Sequence, residues 1–369
     1  MAVPLLDLSR QYATIAPELE AAALAVLRSC RYINGPDVQA LESELAAFCG
    51  ARHGVALSSG TDALLAALMA LGVGPGDEVI TTAYSFFASA GCIKRLGAKP
   101  VFVDIEPESK NLVPALVQKA ITRRTKAVIP VHLFGRAADI TALRAFCDPA
   151  GIPVIEDACQ AVGSRLRGRK VGTLGAMACF SFFPSKNLGG CGDGGFLTTD
   201  DGDLAAKVLR IRNHGQSDTY LHQMVGANFR LDTLQCATLR VKLKRLDQWN
   251  AARRKNAARY ADLFRRAGLQ GVIQWPKDDP DLHTYHQYVI DVPRRDQVLA
   301  ALKDKGIGCA VYYPYPLTAQ PCFAADVAGQ GTFPVSDAAS KSALALPIFP
   351  ELTEAEQDQV VQALTTSLR

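Results

Sequence analysis

The sequence predicts an α/β protein with a mostly parallel central sheet covered by helices and a smaller C-terminal α/β domain. Three observations carry this reading. Between residues 54 and 157, apolar runs of strand length alternate with stretches of helical period, the order that a parallel sheet with crossover helices requires. These strands are rich in Val and Ile without polar alternation, which fits burial on both faces. Beyond Trp275 a second, shorter mixture of strand-like and helical text appears.

The elements follow in order. Residues 54–59 (GVALSS) read as a strand and 61–71 (TDALLAALMAL) as a helix. The alternation repeats with strand 78–82, helix 85–96, strand 100–104, helix 114–120, strand 126–131, helix 139–147 and strand 153–157 (PVIED). Strands at 176–183 and 195–199 then flank a glycine-rich turn, and a helix follows from about 203 to 211. Residues 231–264 form one long basic helical stretch, whose charge fits a solvated face. In the C-terminal part, 285–291 and 309–313 read as strands and 295–305 as a helix. Thr353 and Glu356 form a capping box for a last helix. The domain division expected is 1–248 for a large domain and 249–369 for a small one.

Composition bounds the function. The chain has 369 residues, 49% hydrophobic and 21% charged, as in ordinary globular proteins. Its formal charge of +4 is too balanced for a nucleic-acid partner. No apolar run reaches the length of a membrane span, and no secretory signal is legible at the start, so a cytoplasmic location is expected. The ten cysteines contain no CxxC pair and read as free thiols of a reducing compartment. Nothing near His283 and His286 completes a zinc set, and no metal is expected.

In open parallel sheets, ligands gather at the carboxyl ends of strands. Lys186 lies there, in SFFPSKNLGGCGDGG. A lysine against apolar packing can lose its charge by desolvation, and a neutral amine can form a Schiff base; alone, Lys186 also reads as an exposed loop lysine. Asp157 ends its strand at the same edge. A carboxylate there can keep a pyridine nitrogen protonated, the partner that pyridoxal phosphate (PLP) needs, although a helix cap or ion pair is also open. Gln160, three residues on, can reach the same ligand and bond its ring oxygen. Ser58–Ser59–Gly60–Thr61–Asp62 joins a strand to a helix start, a ready phosphate seat, or else a plain cap. Ser181 can add a hydroxyl. Two motifs fail their context. Gly190, Gly192 and Gly195 have GxGxxG spacing but open a strand, not a helix. Residues 163–170 (GSRLRGRK) resemble a P-loop but carry Arg169 where lysine is needed.

Together these residues resemble the DegT/DnrJ/EryC1/StrS sugar aminotransferases of the PLP-dependent fold type I. The stretches that carry the likeness include SSGTDALLAALMALGVGPGDEVI, VIEDACQAVGS, FSFFPSKNLGGCGDGG, RNHG, GANFRLDTLQCATLRVKL and YYPYPL. The resemblance implies that Lys186 bears the cofactor Schiff base. Asp157 would then face the pyridine nitrogen, Gln160 the phenolic oxygen, Gly60, Thr61 and Ser181 the phosphate, and Phe86 the ring. It implies that Asn228 reaches the cofactor phosphate of the neighbouring subunit, hence a homodimer with shared active sites. His214, His222, Arg230, Tyr312 and Tyr313 would border the substrate, Arg230 with a structural ion pair as its plain alternative and His222 with a surface position. The expected reaction moves an amino group from glutamate to a nucleotide-linked keto sugar, a UDP- or dTDP-linked 3-keto hexose. A 4-keto-6-deoxy sugar or a dehydratase reaction is the alternative. The chain departs from the family pattern at Phe229, where serine is frequent, and at Tyr312, where histidine is frequent.

Overall fold

The computed structural model describes residues 2–277 and 283–369. The first two helices, α1 (Leu8–Ser29) and α2 (Pro36–Cys49), precede any strand. The strands are β1 (His53–Leu57), β2 (Glu78–Thr82), β3 (Lys99–Val103), β4 (Thr125–Ile129), β5 (Ile155–Asp157), the hairpin β6 (Arg165–Leu166) and β7 (Arg169–Lys170), β8 (Met177–Ser181) and β9 (Gly195–Thr199). The hairpin occupies the stretch with P-loop likeness, which forms no phosphate loop.

Parallel pairing sets β3, β2 and β4 side by side, and β5, β8, β9 and β1 form the other half. Parallel bridges Val128↔Val154 and Val131↔Asp157 join the two halves. The central sheet thus runs β3-β2-β4-β5-β8-β9-β1, with β9 antiparallel to both neighbours. That makes it mixed but mostly parallel.

Both faces are buried, and successive residues alternate between two cores. Val55, Val79, Ala127, Ile129, Met177 and Cys179 face the side covered by α3 (Gly60–Ala70), which supplies Leu64, Leu65 and Leu68. Ala56, Ile80, Val128, Ala178 and Phe180 face the side where α2 supplies Leu41 and Leu45. The strands lack polar alternation because neither face meets water. The same period of two carries Asp157 and Ser181, two residues beyond Ile155 and Cys179, toward the α3 side.

A third core gathers Tyr260, Phe264, Tyr288, Leu302, Leu344 and Val360 from the C-terminal part, and Val3 joins it from the N-terminus. Its strands are Tyr288–Asp291 and Ala343–Leu346, paired antiparallel. The capping box of Thr353 and Glu356 opens the last helix, Glu354–Leu368. Two readings need correction. The long helical stretch is two helices, Thr233–Leu243 and Leu246–Arg266, broken at Lys244 and Arg245. Residues 309–313 form no strand: only Ala310 pairs, with Ala345. The amide of Tyr313 and the carbonyl of Tyr312 turn instead to the Tyr84 hydroxyl, at 2.6 and 2.7 Å.

Candidate active site

Asp157 ends β5 and is 5% exposed. Its Oδ2 accepts the Ser89 hydroxyl at 2.7 Å and its Oδ1 the Cys159 amide at 3.2 Å. The residue before it, Glu156, has no exposure and is held from all sides. Its Oε1 accepts the amides of Leu174 and Gly175 at 2.8 Å, and its Oε2 accepts that of Gly172 at 3.1 Å. Nδ1 of His132 accepts the Ala138 amide, so its Nε2 carries the proton and donates to Glu156 at 3.0 Å. The His132 amide in turn donates to the Asp157 carbonyl. The central strand β5 is thus locked immediately before its candidate carboxylate.

The candidate phosphate seat stands beside it. Ser59 caps α3, its hydroxyl accepting the Asp62 amide at 3.0 Å. The hydroxyls of Ser58 and Ser59 donate to the Asp62 carboxylate. The amides of Gly60 and Thr61 donate to nothing among the described residues, so two donors and the positive helix end face outward. Gly60 is required by close approach: a Cβ there would stand 2.7 Å from the Ser181 Cβ and 2.8 Å from the Cys159 sulfur. That crowding places Ser181, at the end of β8, against the helix start.

Lys186 follows Ser181 by a short loop and is half-buried. Its amine has no hydrogen-bond or ion-pair partner among the described residues. Desolvation pulls it below the ordinary lysine range, against the opposing charges of Cys159 and Asp157. An amine whose charge is disfavoured by burial is what nucleophilic carbonyl chemistry uses.

Gln160 is 6% exposed. Its Oε1 accepts the Phe134 amide at 2.7 Å and its Nε2 donates to the Tyr313 hydroxyl at 2.9 Å, leaving one Nε2 hydrogen for a ligand. Burial raises the Tyr313 hydroxyl far above its usual range, so it stays protonated. The Tyr313 ring packs against Phe134 and Phe86 at 6.4 Å each. Phe86 is 56% exposed, an aromatic face without cover. Tyr312 lies edge-on to Tyr313 at 5.7 Å.

The structure therefore brings together Gly60, Thr61, Asp157, Gln160, Ser181 and Lys186, with Phe86, Tyr312 and Tyr313 at the rim. The segment 214–230 is held differently. The Phe229 carbonyl accepts the Ser58 amide at 2.8 Å, which ties the segment to the strand end before the phosphate seat. Yet His214, His222 and Asn228 are exposed. His222 Nδ1 reaches only the His214 carbonyl. Arg230 donates to Asn213 at 2.6 Å, and its buried Nε has no partner. Sequence reasoning missed Tyr84, Ser89, Phe134 and the Glu156–His132 pair. Ser89 had a legible signal, standing four residues after Ser85 on a stretch read as helical; the others act through contacts between distant stretches that no motif records.

These groups fit PLP: an amine without a partner, a buried carboxylate, a vacant pair of helix-start amides and an uncovered aromatic face. The DegT/DnrJ/EryC1/StrS aminotransferase family model matches residues 13–365. The chain belongs to this family. A UDP-2-acetamido-2-deoxy-3-oxo-D-glucuronate aminotransferase of Pseudomonas aeruginosa is 44% identical, over 98% of this chain and 99% of its own. A "pleiotropic regulatory protein" of Geobacillus stearothermophilus is 49% identical, over 100% and 99%. The crystal structure of S. venezuelae DesV in complex with a ketimine intermediate superposes with a TM-score of 0.94 at 40% identity, covering 100% of this chain and 99% of that one. The family assignment makes the chain a sugar aminotransferase by class, and the shared fold extends over both its large and small cores.

Proposed function

We propose that this aminotransferase uses PLP to move an amino group from glutamate to a UDP-linked 3-keto hexose. The observation that carries the chemistry is the Lys186 amine, desolvated and without a partner at the carboxyl edge beside Asp157. PLP supplies an electron sink that neither side chain offers alone. Lys186 would hold the cofactor through its Nζ and, when released, carry protons at that atom. Its neutral form grows as pH rises, and its depressed pKa extends that form below the ordinary lysine range. Asp157, fixed by Ser89 and the Cys159 amide, would keep a proton on the ring nitrogen. Gly60, Thr61 and Ser181 would bind the phosphate, Gln160 the ring oxygen and Phe86 the ring face.

The large domain, 1–248, would carry the cofactor and the small one, 249–369, would close over it. Asn228 would serve the cofactor of a second copy, in a cytoplasmic homodimer. His214, His222, Arg230, Tyr312 and Tyr313 would border the sugar nucleotide. Arg230 retains a donor for a carboxylate, which suits a uronic acid, and the activity for which the Pseudomonas relative is named supports that substrate class. A purely regulatory role, suggested by the name of the Geobacillus relative, leaves the whole Lys186, Asp157, Gln160 and Thr61 set without purpose.

The test offers purified enzyme, PLP and glutamate a UDP-linked 3-keto sugar and a dTDP-linked 4-keto-6-deoxy sugar. Mass shift of the sugar nucleotide reports the product. Faster amination of the 3-keto sugar is expected; exclusive 4-amination discards that substrate while leaving the chemistry.

A further inference from the structure

A cavity of about 80 Å³ lies between the Lys186 loop and the C-terminal core, and the chemistry described so far does not use it. Ser185, Arg253, His286, Gln287, Tyr312 and Ala345 line it. It sits beside the site on two sides, since Ser185 precedes Lys186 and Tyr312 precedes Tyr313.

Its polar wall lacks partners. Arg253 comes from the helix Leu246–Arg266 and is 3% exposed. Its Nη1 donates to the carbonyls of Ile348 at 2.9 Å, Tyr285 at 3.1 Å and His286 at 3.4 Å. Its Nε has no partner, and no hydrogen bond uses its Nη2 among the described residues. No carboxylate pairs with it there either, although the charge of Glu351 acts on it from farther off. Burial brings its pKa to about 10, so it remains a cation at neutral pH. His286 is 8% exposed, and its Nδ1 has no partner. Burial, Lys186 and Arg253 hold His286 well below its ordinary range and therefore neutral. The Gln287 Oε1 is also without a partner.

A buried cation without a counter-ion is costly, and an arriving anion relieves that cost. The cavity is several times the roughly 10–15 Å³ that one water needs, yet it is far too small for a sugar nucleotide. It matches a carboxylate with a short stem. In the reaction proposed above, the small anionic reactant is the amino donor. We infer that this cavity takes a carboxylate of the amino donor, bound by Arg253 beside His286 and Gln287, an inference that rests on the reading of the chain as a glutamate-dependent aminotransferase. The donor is then gripped beside the Lys186 loop, where Ser185 lines the cavity.

The test uses the PLP-loaded enzyme and two variants. Ala345→Leu fills the cavity from its apolar wall and leaves the carbonyl bonds of Arg253 intact; Arg253→Gln removes the charge. Two quantities are measured: KM for L-glutamate in 2-oxoglutarate release, and the Kd of glutarate, a dicarboxylate without the amine. Each variant is expected to raise both by about tenfold or more, as the loss of a charged hydrogen bond does. Amination of the sugar by enzyme preloaded with the amino group should fall much less. A folded Ala345→Leu protein with wild-type KM and glutarate affinity overturns the inference and leaves the cavity to water, even if Arg253→Gln fails to fold. Wild-type enzyme that releases no 2-oxoglutarate from glutamate defeats the functional reading itself, and the cavity inference with it.

Discussion

The carboxyl edge of the central sheet and the segment 214–230 hold their candidate residues in opposite ways. At the edge, Asp157 and Gln160 are 5% and 6% exposed, and each is fixed by two hydrogen bonds from its own chain. In the segment, His214, His222 and Asn228 lie exposed beside Tyr220 at 90% and Val225 at 88%. Buried dipoles that need no reorganisation are what electrostatic catalysis requires. In 214–230 the apolar side chains of Tyr220, Leu221 and Val225 are left uncovered by the chain. The difference separates a buried group of residues fixed by contacts within one chain from an exposed segment that we read as completed by the sugar nucleotide and by the cofactor site of a second copy.

That contrast can be broken at either end. Asp157→Asn keeps the shape and the Ser89 contact but removes the charge that would hold a ring proton. Its kcat should fall by about 10²–10³, the usual cost of one preorganised electrostatic partner, with cofactor content near wild type. Full activity in steady-state assays of that variant would dissolve the claim that the edge is an electrostatic centre.

A smaller effect is expected from the exposed region. Asn228→Ala should weaken PLP retention by about tenfold, the order of one lost hydrogen bond to a charged group. Absorbance after dialysis reads it, and sedimentation should show a dimer. An active monomer that keeps its cofactor would remove the second copy from the account and leave the segment as ordinary surface.

The two regions were also unequally legible. Asp157, Ser181 and the α3 start follow from local pattern, because strand ends and helix starts fix where side chains point. The burial of both sheet faces was legible in the adjacent apolar pairs Val79–Ile80 of β2 and Val128–Ile129 of β4, which place side chains on both faces. What pattern could not show were contacts between distant stretches. The hydroxyl of Tyr84 pulls residues 312 and 313 out of the strand their composition suggests. Lys244 and Arg245 break a helical stretch whose polar periodicity continues across them. The Glu156–His132 pair joins residues 24 apart, so neither looks special alone. Among the described residues 2–50 there is no strand, and their two helices did not enter a reading built on alternation. Within 214–230, exposure leaves few intrachain contacts to fix a role, so Arg230 and His222 rest on resemblance more than on geometry.

The central claim is that the partnerless amine of Lys186 does the chemistry. Its most direct test is Lys186→Ala, reconstituted with PLP and given glutamate, with 2-oxoglutarate release and the cofactor's absorbance followed together. The account predicts no yellow protein-bound Schiff base and no detectable 2-oxoglutarate, while wild type converts its cofactor and releases it. Near wild-type release from the folded variant would contradict the account.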